Sequence, residues 1–374
     1  MSNQLPSRAA VIGGGVIGVS SAYHLAQRGA KVYLVTEGGL ASGASGRSLS
    51  WINAGGMWAE HYFRFRMIGI DRYRTLFARQ PTQNWLRFGG GLRWQSAEQA
   101  DALSEMHERE LARGYDSQLL TGDEVAARIP GVNAEAIPAS GALWNPGEGW
   151  VDLPSLINYL VKELVDLGGE LITDAGKASV HLDTGRVTEI KTEHHPTIEV
   201  DAALLAAGSS VPELAAQLGA AIPDATNTAL LIKTYPVQTQ LRTVLNTPRV
   251  SLRPAPNGGL AVDAAWTESH IEVLADGTYR VPAETIDALL AEASRVLTGG
   301  PILRAATNGI GPKPIPGDGE PVLGQLGDIE GLYVAFTHSG ATLALIIGEL
   351  LGYEIIKKQS HPLLAPFRPD RFIK

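Results

Sequence analysis

The 374-residue chain has no cysteine. That excludes disulfides, thiolate-held metals, iron–sulfur clusters, thiol nucleophiles and any flavin tethered through sulfur. Positive charge is also short: 31 Lys and Arg stand against 39 Asp and Glu, a net charge of -8. Without a basic field to collect phosphates, this argues against a general nucleic-acid or anionic-membrane surface. A small anionic substrate is unaffected, because it needs only one or two local cations. Long apolar runs are missing too. The most apolar late stretch, residues 341–347, is far short of the roughly 20 residues that span a bilayer. Residues 1–10 are polar, and the apolar segment that follows is broken by Gly13, Gly14 and Gly15, so it does not read as a signal-peptide core. The expectation is a cytoplasmic protein with no membrane span. No repeat or low-complexity tract is visible. His194 and His195 sit in a polar turn with no acid at ligand spacing, and His61, His107 and His270 read as surface. No metal site is expected.

What is present is ordinary globular material. Hydrophobic residues make up 44% and charged residues 19%, enough to bury a large core in two domains or one large one. The most informative stretch is the first forty residues. Ala9 to Ile12 is a short apolar run ending in glycine, which reads as a strand buried on both faces. Gly13-Gly14-Gly15-Val16-Ile17-Gly18 follows and matches G-x-G-x-x-G. Ser20 to Arg28 continues as a helix with apolar Ala22, Leu25 and Ala26, and Gly29 stops it. Lys31 to Val35 reads as a second strand, and Glu37 lies 19 residues after Gly18.

Each part has a physical task. Gly13 permits the tight turn, Gly15 lets a pyrophosphate approach the backbone, and Gly18 lets helix and strand pack closely. The helix start, at Val16 and Ile17, points N–H groups at the phosphates. Glu37 can accept bonds from the adenosine ribose and disfavours a 2′-phosphate, which leaves FAD or NAD rather than NADP.

Three later segments favour FAD. Ala41 to Ser48 is a run of small residues and hydroxyls directly after the acid. In it Ser42, Ser45 and Ser48 can line an extended cofactor and Arg47 can meet a phosphate. Ile198 to Gly208 reads as a strand whose end, at Ala207 and Gly208, offers small residues beside a ligand edge. Leu332 to Phe336 reads as a strand, after which His338, Ser339, Gly340, Ala341 and Thr342 open a helix running to about Leu351. Such a helix N-terminus, aimed at a flavin, stabilises negative charge on the N1–C2 carbonyl edge.

Together these segments resemble the D-amino-acid oxidase (DAO) family of FAD-dependent oxidoreductases, in its glycine oxidase, sarcosine oxidase and D-amino-acid dehydrogenase branch. The resemblance rests on Val11 to Gly18 with Glu37, Ala41 to Ser48, Leu204 to Gly208, Pro314 to Gly324, His338 to Leu343 and Pro366 to Phe372. It implies an α/β protein, α+β overall. A Rossmann-like FAD-binding domain from residues 1–85, 141–215 and 303–374 would join a substrate domain from 86–140 and 216–302, built on a mainly antiparallel sheet. The residues agree with that outline. Leu86 to Trp94, Thr228 to Thr239, Arg249 to Arg253 and Gly259 to Ala265 read as strands, while Ala97 to Arg113 and Pro282 to Leu297 read as helices.

The resemblance also implies the chemistry. A carbon next to an amine nitrogen gives hydride to N5 of a non-covalently bound FAD, the imine is hydrolysed in water, and O2 or another acceptor reoxidises the flavin. The partners implied are a small amine or amino acid and O2; self-association is left open. Such a reaction needs position, a dry pocket and a deprotonated amine more than acid–base catalysts. The residues to find are those that grip the substrate carboxylate. The glycine oxidase pattern has an arginine before its Asp-Gly-x-Pro turn, where this chain has Lys313, and a second arginine where it has His338. Lysine loses the bidentate fork. Arg253, on an expected strand, is a candidate to supply it, and Trp51, Asn53 and Trp58 are candidates to line the flavin face. These departures leave room for a bulkier or secondary amine, such as an N-substituted glycine. Two other readings remain open: a dehydrogenase that passes electrons to a quinone or carrier, and a flavin-binding protein without turnover.

Overall fold

Residues 7–372 are described by the structure, a computed structural model; residues 1–6 and 373–374, which hold part of the polar N-terminal stretch and the chain end, lie outside the described residues. The opening apolar run forms the strand Arg8–Ile12, buried from Ala9 onward, because both faces are covered. It pairs in parallel with Lys31–Val35 on one side and with Ala202–Leu205 on the other. The full six-stranded sheet runs Val322–Gln325, Leu332–Phe336, Ala202–Leu205, Arg8–Ile12, Lys31–Val35 and Glu170–Ile172. All neighbours are parallel except the edge strand Val322–Gln325.

Two helices pack together on this sheet's elements with little between them. They are Val16–Gln27 and Gly340–Lys357. Gly348 and Gly352 line the seam: a Cβ on Gly348 would come within 2.7 Å of Ser20 backbone atoms, and one on Gly352 within 3.3 Å of His24. Small residues here let the helices approach backbone to backbone. The second helix runs past the expected end at Leu351 to Lys357, where Lys358 takes a left-handed φ of 51°.

The chain divides into two units. The first comprises Met1–Gly46, Leu153–Asn227 and Pro312–Lys374; the second comprises Arg47–Asp152 and Thr228–Gly311. Residues 47–85 and 141–152, expected with the six-stranded sheet, belong to the second unit, as do residues 303–311, while 216–227 belong to the first. The second unit is built on an eight-stranded, mainly antiparallel sheet. One parallel pair, Val244–Asn246 beside Gly91–Arg93, lies inside it. Its core gathers Leu92, Leu230, Ile232, Leu245, Leu252 and Val262.

Two expected strands are each broken in two. Leu86 to Trp94 forms Leu86–Arg87 and Gly91–Arg93, which belong to different sheets. Gly90, at φ 79°, turns the chain between them. Ile198 to Leu205 splits into Ile198–Glu199, at the edge of a small three-stranded sheet, and Ala202–Leu205 in the large one. Asp201 sits at the second break, where its carboxylate accepts the Arg8 backbone N–H at 2.8 Å. Apolar periodicity continues through both breaks, so it carried no sign of either.

Candidate functional site

In the first unit, the carboxyl ends of four adjacent strands bring the expected cofactor residues together. Arg8–Ile12 sends its connections to opposite sides, toward Lys31–Val35 and toward Ala202–Leu205, so a crevice opens at its carboxyl end. The glycine turn sits there. Gly13 takes a φ of 130°, its N–H donates to the Val35 carbonyl at 2.8 Å, and a Cβ on it would overlap the Ala206 carbonyl oxygen. A Cβ on Gly18 would overlap the Gly13 carbonyl oxygen. Gly15 differs: a Cβ there would meet only Ser45 Oγ, at 3.3 Å. Two glycines are therefore required by the protein's own packing, while the third keeps a backbone position bare.

The helix Val16–Gln27 starts at this turn, and Gly340–Lys357 starts beside it: a Cβ on Gly340 would lie 3.8 Å from Val16 and Ile17 side-chain atoms. Neither helix has a side-chain cap from its N-cap residue, Gly15 or Ser339, and neither carries an acid in its first turn. Two unopposed positive helix ends thus face one region, which suits the phosphates and electron-rich ring of a dinucleotide. Ser45 is partly committed, since its Oγ accepts the Val16 N–H at 3.0 Å. Ala41, at φ 56°, donates its N–H to the Gly14 carbonyl at 3.0 Å and so lays the small-residue loop along the glycine turn. Glu37 and Ser42 are exposed, Ala207 and Gly208 are half-buried after the strand end, and Ala341 is half-buried with Thr342 buried behind it. His338 is exposed at the turn into the helix, and Lys313 is half-buried at the end of the strand Ala305–Lys313.

The remaining expected residues lie in the second unit. Arg47 runs along a lane cleared by two glycines. A Cβ on Gly309 would come 2.7 Å from Arg47 Cγ, and one on Gly311 would come 2.5 Å from its Nη2. Burial lowers the Arg47 pKa, with Tyr279 opposing. Ser48 Oγ accepts the Ser50 N–H at 3.0 Å. Trp51 begins the two-residue strand Trp51–Ile52, paired with Gly149–Val151, and its indole is stacked by the Arg93 guanidinium, 4.8 Å from the ring centre.

Arg253 is a correction. It was the candidate for a substrate-gripping fork, but it is only 1% exposed. Its Nε donates to the Leu49 carbonyl, Nη1 donates to the Pro254 carbonyl at 2.8 Å, and Nη2 pairs with Asp152 at 3.6 Å. The guanidinium also lies 5.1 Å over Trp150. Burial pulls its pKa down to about 10, with Asp152 opposing, so it remains cationic at neutral pH. All three nitrogens serve the fold, and no fork is turned outward.

Sequence reasoning missed a polar cluster behind the Trp51 strand. Glu148 and Glu110 are 0% and 2% exposed. Glu148 Oε1 accepts the N–H groups of Ala54 and Gly55 at 3.2 and 3.0 Å and the Tyr115 hydroxyl at 2.7 Å. Glu110 Oε1 accepts the Gly56 N–H at 2.9 Å, and its Oε2 accepts from Asn145 Nδ2 at 2.8 Å. Arg93 Nη2 stands 3.9 Å from Glu148 Oε1. Burial pushes the Glu148 carboxyl above its usual range, with Arg93 opposing; burial also raises Tyr115. Nothing local marks these residues. Each acid reads as a surface residue until segments far along the chain cover it.

Comparison with known proteins settles what the first unit's geometry suggests. Residues 8–354 match the DAO family, described as FAD dependent oxidoreductase. The chain belongs to the DAO family of FAD-dependent oxidoreductases. Among its relatives, glycine oxidase of Geobacillus kaustophilus (strain HTA426) is 26% identical over 380 residues, covering 97% of each chain. An opine oxidase polypeptide of Agrobacterium tumefaciens (strain Ach5) is 24% identical over 376 residues, covering 97% of this chain and 96% of that one. The crystal structure of the Geobacillus kaustophilus glycine oxidase shares the fold, with a TM-score of 0.83 at 22% identity over 98% of this chain and 100% of that one. As a DAO-family member the protein is an oxidoreductase and FAD is its cofactor. The resemblance drawn from the glycine turn, the strand ends and the closing segment is thereby borne out, as is a Rossmann-like fold combined with a mainly antiparallel sheet. Among the described residues, no helix is long and apolar enough to cross a membrane.

Proposed function

We propose that this protein oxidises a small carboxylate-bearing amine of the glycine, N-substituted glycine or D-amino acid type at the carbon next to nitrogen. The observation that carries the reading is the family match over residues 8–354, with Lys313 and His338 at the two places where the glycine oxidase pattern has arginines. FAD, held without a covalent link, supplies the hydride acceptor and returns its electrons to O2.

The chain's own residues do the rest. In this reading the first unit binds FAD and the second binds substrate. Gly13, Gly15 and Gly18, with the helix start at Val16 and Ile17, hold the pyrophosphate, and Glu37 takes the ribose hydroxyls. Ser42, Ser45 and Ser48 line the extended cofactor, as do Ala207 and Gly208. The helix opened by Ser339, Gly340, Ala341 and Thr342 supports charge on the flavin's carbonyl edge. Lys313 meets the substrate carboxylate as a point charge, and His338 accepts from the amine or pairs with a carboxylate. Trp51 forms an apolar wall. A point charge with an imidazole grips a lone glycine carboxylate less tightly than two arginine forks, which favours a bulkier or secondary amine. A relative named as an opine oxidase supports keeping N-substituted amino acids in the class. The cytoplasm is the proposed location.

The test is an anaerobic flavin-reduction screen with glycine, sarcosine, N-alkyl glycines, D-amino acids and cyclic imino acids. One class should bleach the flavin, and air should restore it. Bleaching by none of them would overturn the substrate class. Bleaching that air does not reverse would overturn O2 as acceptor.

A further inference from the structure

The buried cluster behind Trp51 has no part in the reaction as described, yet it is tied to a residue that does. Its members come from five separate segments of the second unit. Arg93 comes from the strand Gly91–Arg93, Glu110 from the helix Ala100–Ala112, and Tyr115 from just after that helix. Glu148 lies in the turn before Gly149–Val151, and Ala54 to Gly56 follow Trp51–Ile52. Two glycines make room for it. A Cβ on Gly55 would come within 2.6 Å of Glu110 Oε1, 2.8 Å of Arg93 Nη2 and 3.1 Å of Glu148 Oε1. A Cβ on Gly91 would overlap Glu148 Oε2 and come 2.8 Å from the Trp51 ring. The Glu148 carboxyl is therefore enclosed between two bare backbone positions, with the Trp51 indole beside one of them.

Arg93 links the two. Its guanidinium covers the Trp51 face at 4.8 Å and stands 3.9 Å from Glu148. The hydrogen bond it makes is a weak one, from Nη1 to Met106 Sδ at 3.3 Å, while Nε and Nη2 are buried without a hydrogen-bond partner. A guanidinium placed by so few directional bonds takes its position from charge and stacking: Glu148 on one side, Trp51 on the other. Meanwhile Glu148 Oε1 holds the backbone that follows Trp51 through two N–H groups. The same carboxyl thus acts on Trp51 through its main chain and through the cation on its ring.

We propose that Glu148 is a positioning residue for amine binding, setting the Trp51 indole through Arg93 and the Ala54–Gly55 backbone. This rests on the reading of Trp51 as a substrate-facing wall. Glu148→Gln keeps an oxygen for the N–H groups and Tyr115 but removes the charge that draws Arg93. Trp51→Phe removes the indole itself.

The experiment is a double-mutant cycle on the FAD-loaded protein, using the most effective amine from the screen under anaerobic conditions. It reads the apparent amine Kd and the limiting reduction rate. Glu148→Gln should weaken amine binding by about tenfold, the size expected when a buried cation–π arrangement is disturbed, and leave the limiting rate within about twofold. Trp51→Phe should do the same, and the double variant should be no worse than either single one. Fully additive losses, or a Glu148→Gln protein with wild-type amine affinity, would overturn the proposal. Should Glu148→Gln not fold, Arg93→Lys serves instead, since lysine keeps the charge but not the planar stack. Wild-type affinity in that variant overturns the proposal equally. If no amine reduces the wild-type flavin, the substrate reading fails and takes this inference with it, an outcome distinct from additivity in an enzyme that does turn over.

Discussion

Gly18 lies so close to Gly13 that a Cβ on Gly18 would overlap the Gly13 carbonyl oxygen. The glycine turn is closed by its own backbone before any cofactor arrives. Gly18→Ala should therefore act on the turn itself, at about 1–3 kcal/mol or more of strain, and lower both the flavin-to-protein ratio and the melting temperature. Gly39→Ala, where a Cβ would meet nothing within 4 Å, is the control and should bind flavin as the wild type does. Equal flavin content in the two variants would contradict this account.

The helix seam offers a graded comparison. Gly348→Ala drives a Cβ into Ser20, with backbone atoms at 2.7 Å, whereas Gly352→Ala meets His24 only at 3.3 Å. The first change should cost about 1–3 kcal/mol and the second clearly less. Urea unfolding followed by tryptophan fluorescence would rank them.

Arg253→Met should unfold the protein more readily rather than weaken substrate binding selectively. It leaves the Leu49 carbonyl without a donor and the Asp152 carboxylate without its cation. Breaking a buried pair from one side costs about 3–5 kcal/mol. The expected result is a large drop in stability. A stable variant with a raised amine KM alone would restore the substrate-binding role that the structure removes.

Lys313→Ala should raise the KM for carboxylate-bearing amines by about tenfold or more, through loss of one charge-assisted contact. Flavin content should not change. Steady-state kinetics on an amine with and without its carboxylate would show whether the effect follows the carboxylate. An equal effect on both would place Lys313 elsewhere in the mechanism.

Glu148 gives a pH dependence with a definite sign. Burial raises its pKa in the folded protein, and Arg93 reduces but does not cancel the rise. The folded state therefore keeps a proton that the unfolded chain releases first. The stability this contributes is fully present below the ordinary glutamate range and is lost as pH rises through the raised value. Stability differences between wild type and Glu148→Gln, measured by urea unfolding across that range, should move against the wild type as pH increases. A flat difference would mean that Glu148 is ionised in the folded state at its ordinary pKa.

Much of the cofactor side was legible in the residues because it is local. A short apolar strand, three glycines at fixed spacing, a helix start and an acid all fall within forty consecutive positions. Their conformations follow from steric rules that need no distant partner: Gly13 at φ 130° and Gly29 at φ 85° adopt backbone that side chains disfavour. The strand–turn–helix at Leu332 to Thr342 was legible for the same reason. Other features depended on contacts between remote segments. Arg253 bonds Leu49 across 204 positions, and Gly55 bonds Glu148 across 93. No pattern near Arg253 distinguishes a buried guanidinium from one that greets a substrate, and none near Glu148 foretells complete burial. The order of strands around Arg8–Ile12, the breaks at Gly90 and Asp201, and the division at Gly46 are of the same kind. Local backbone preference determined the glycine turn and what it binds. Which charges are buried, and what they hold in place, was decided only in the tertiary structure, because desolvation and pairing depend on neighbours that the linear order keeps apart.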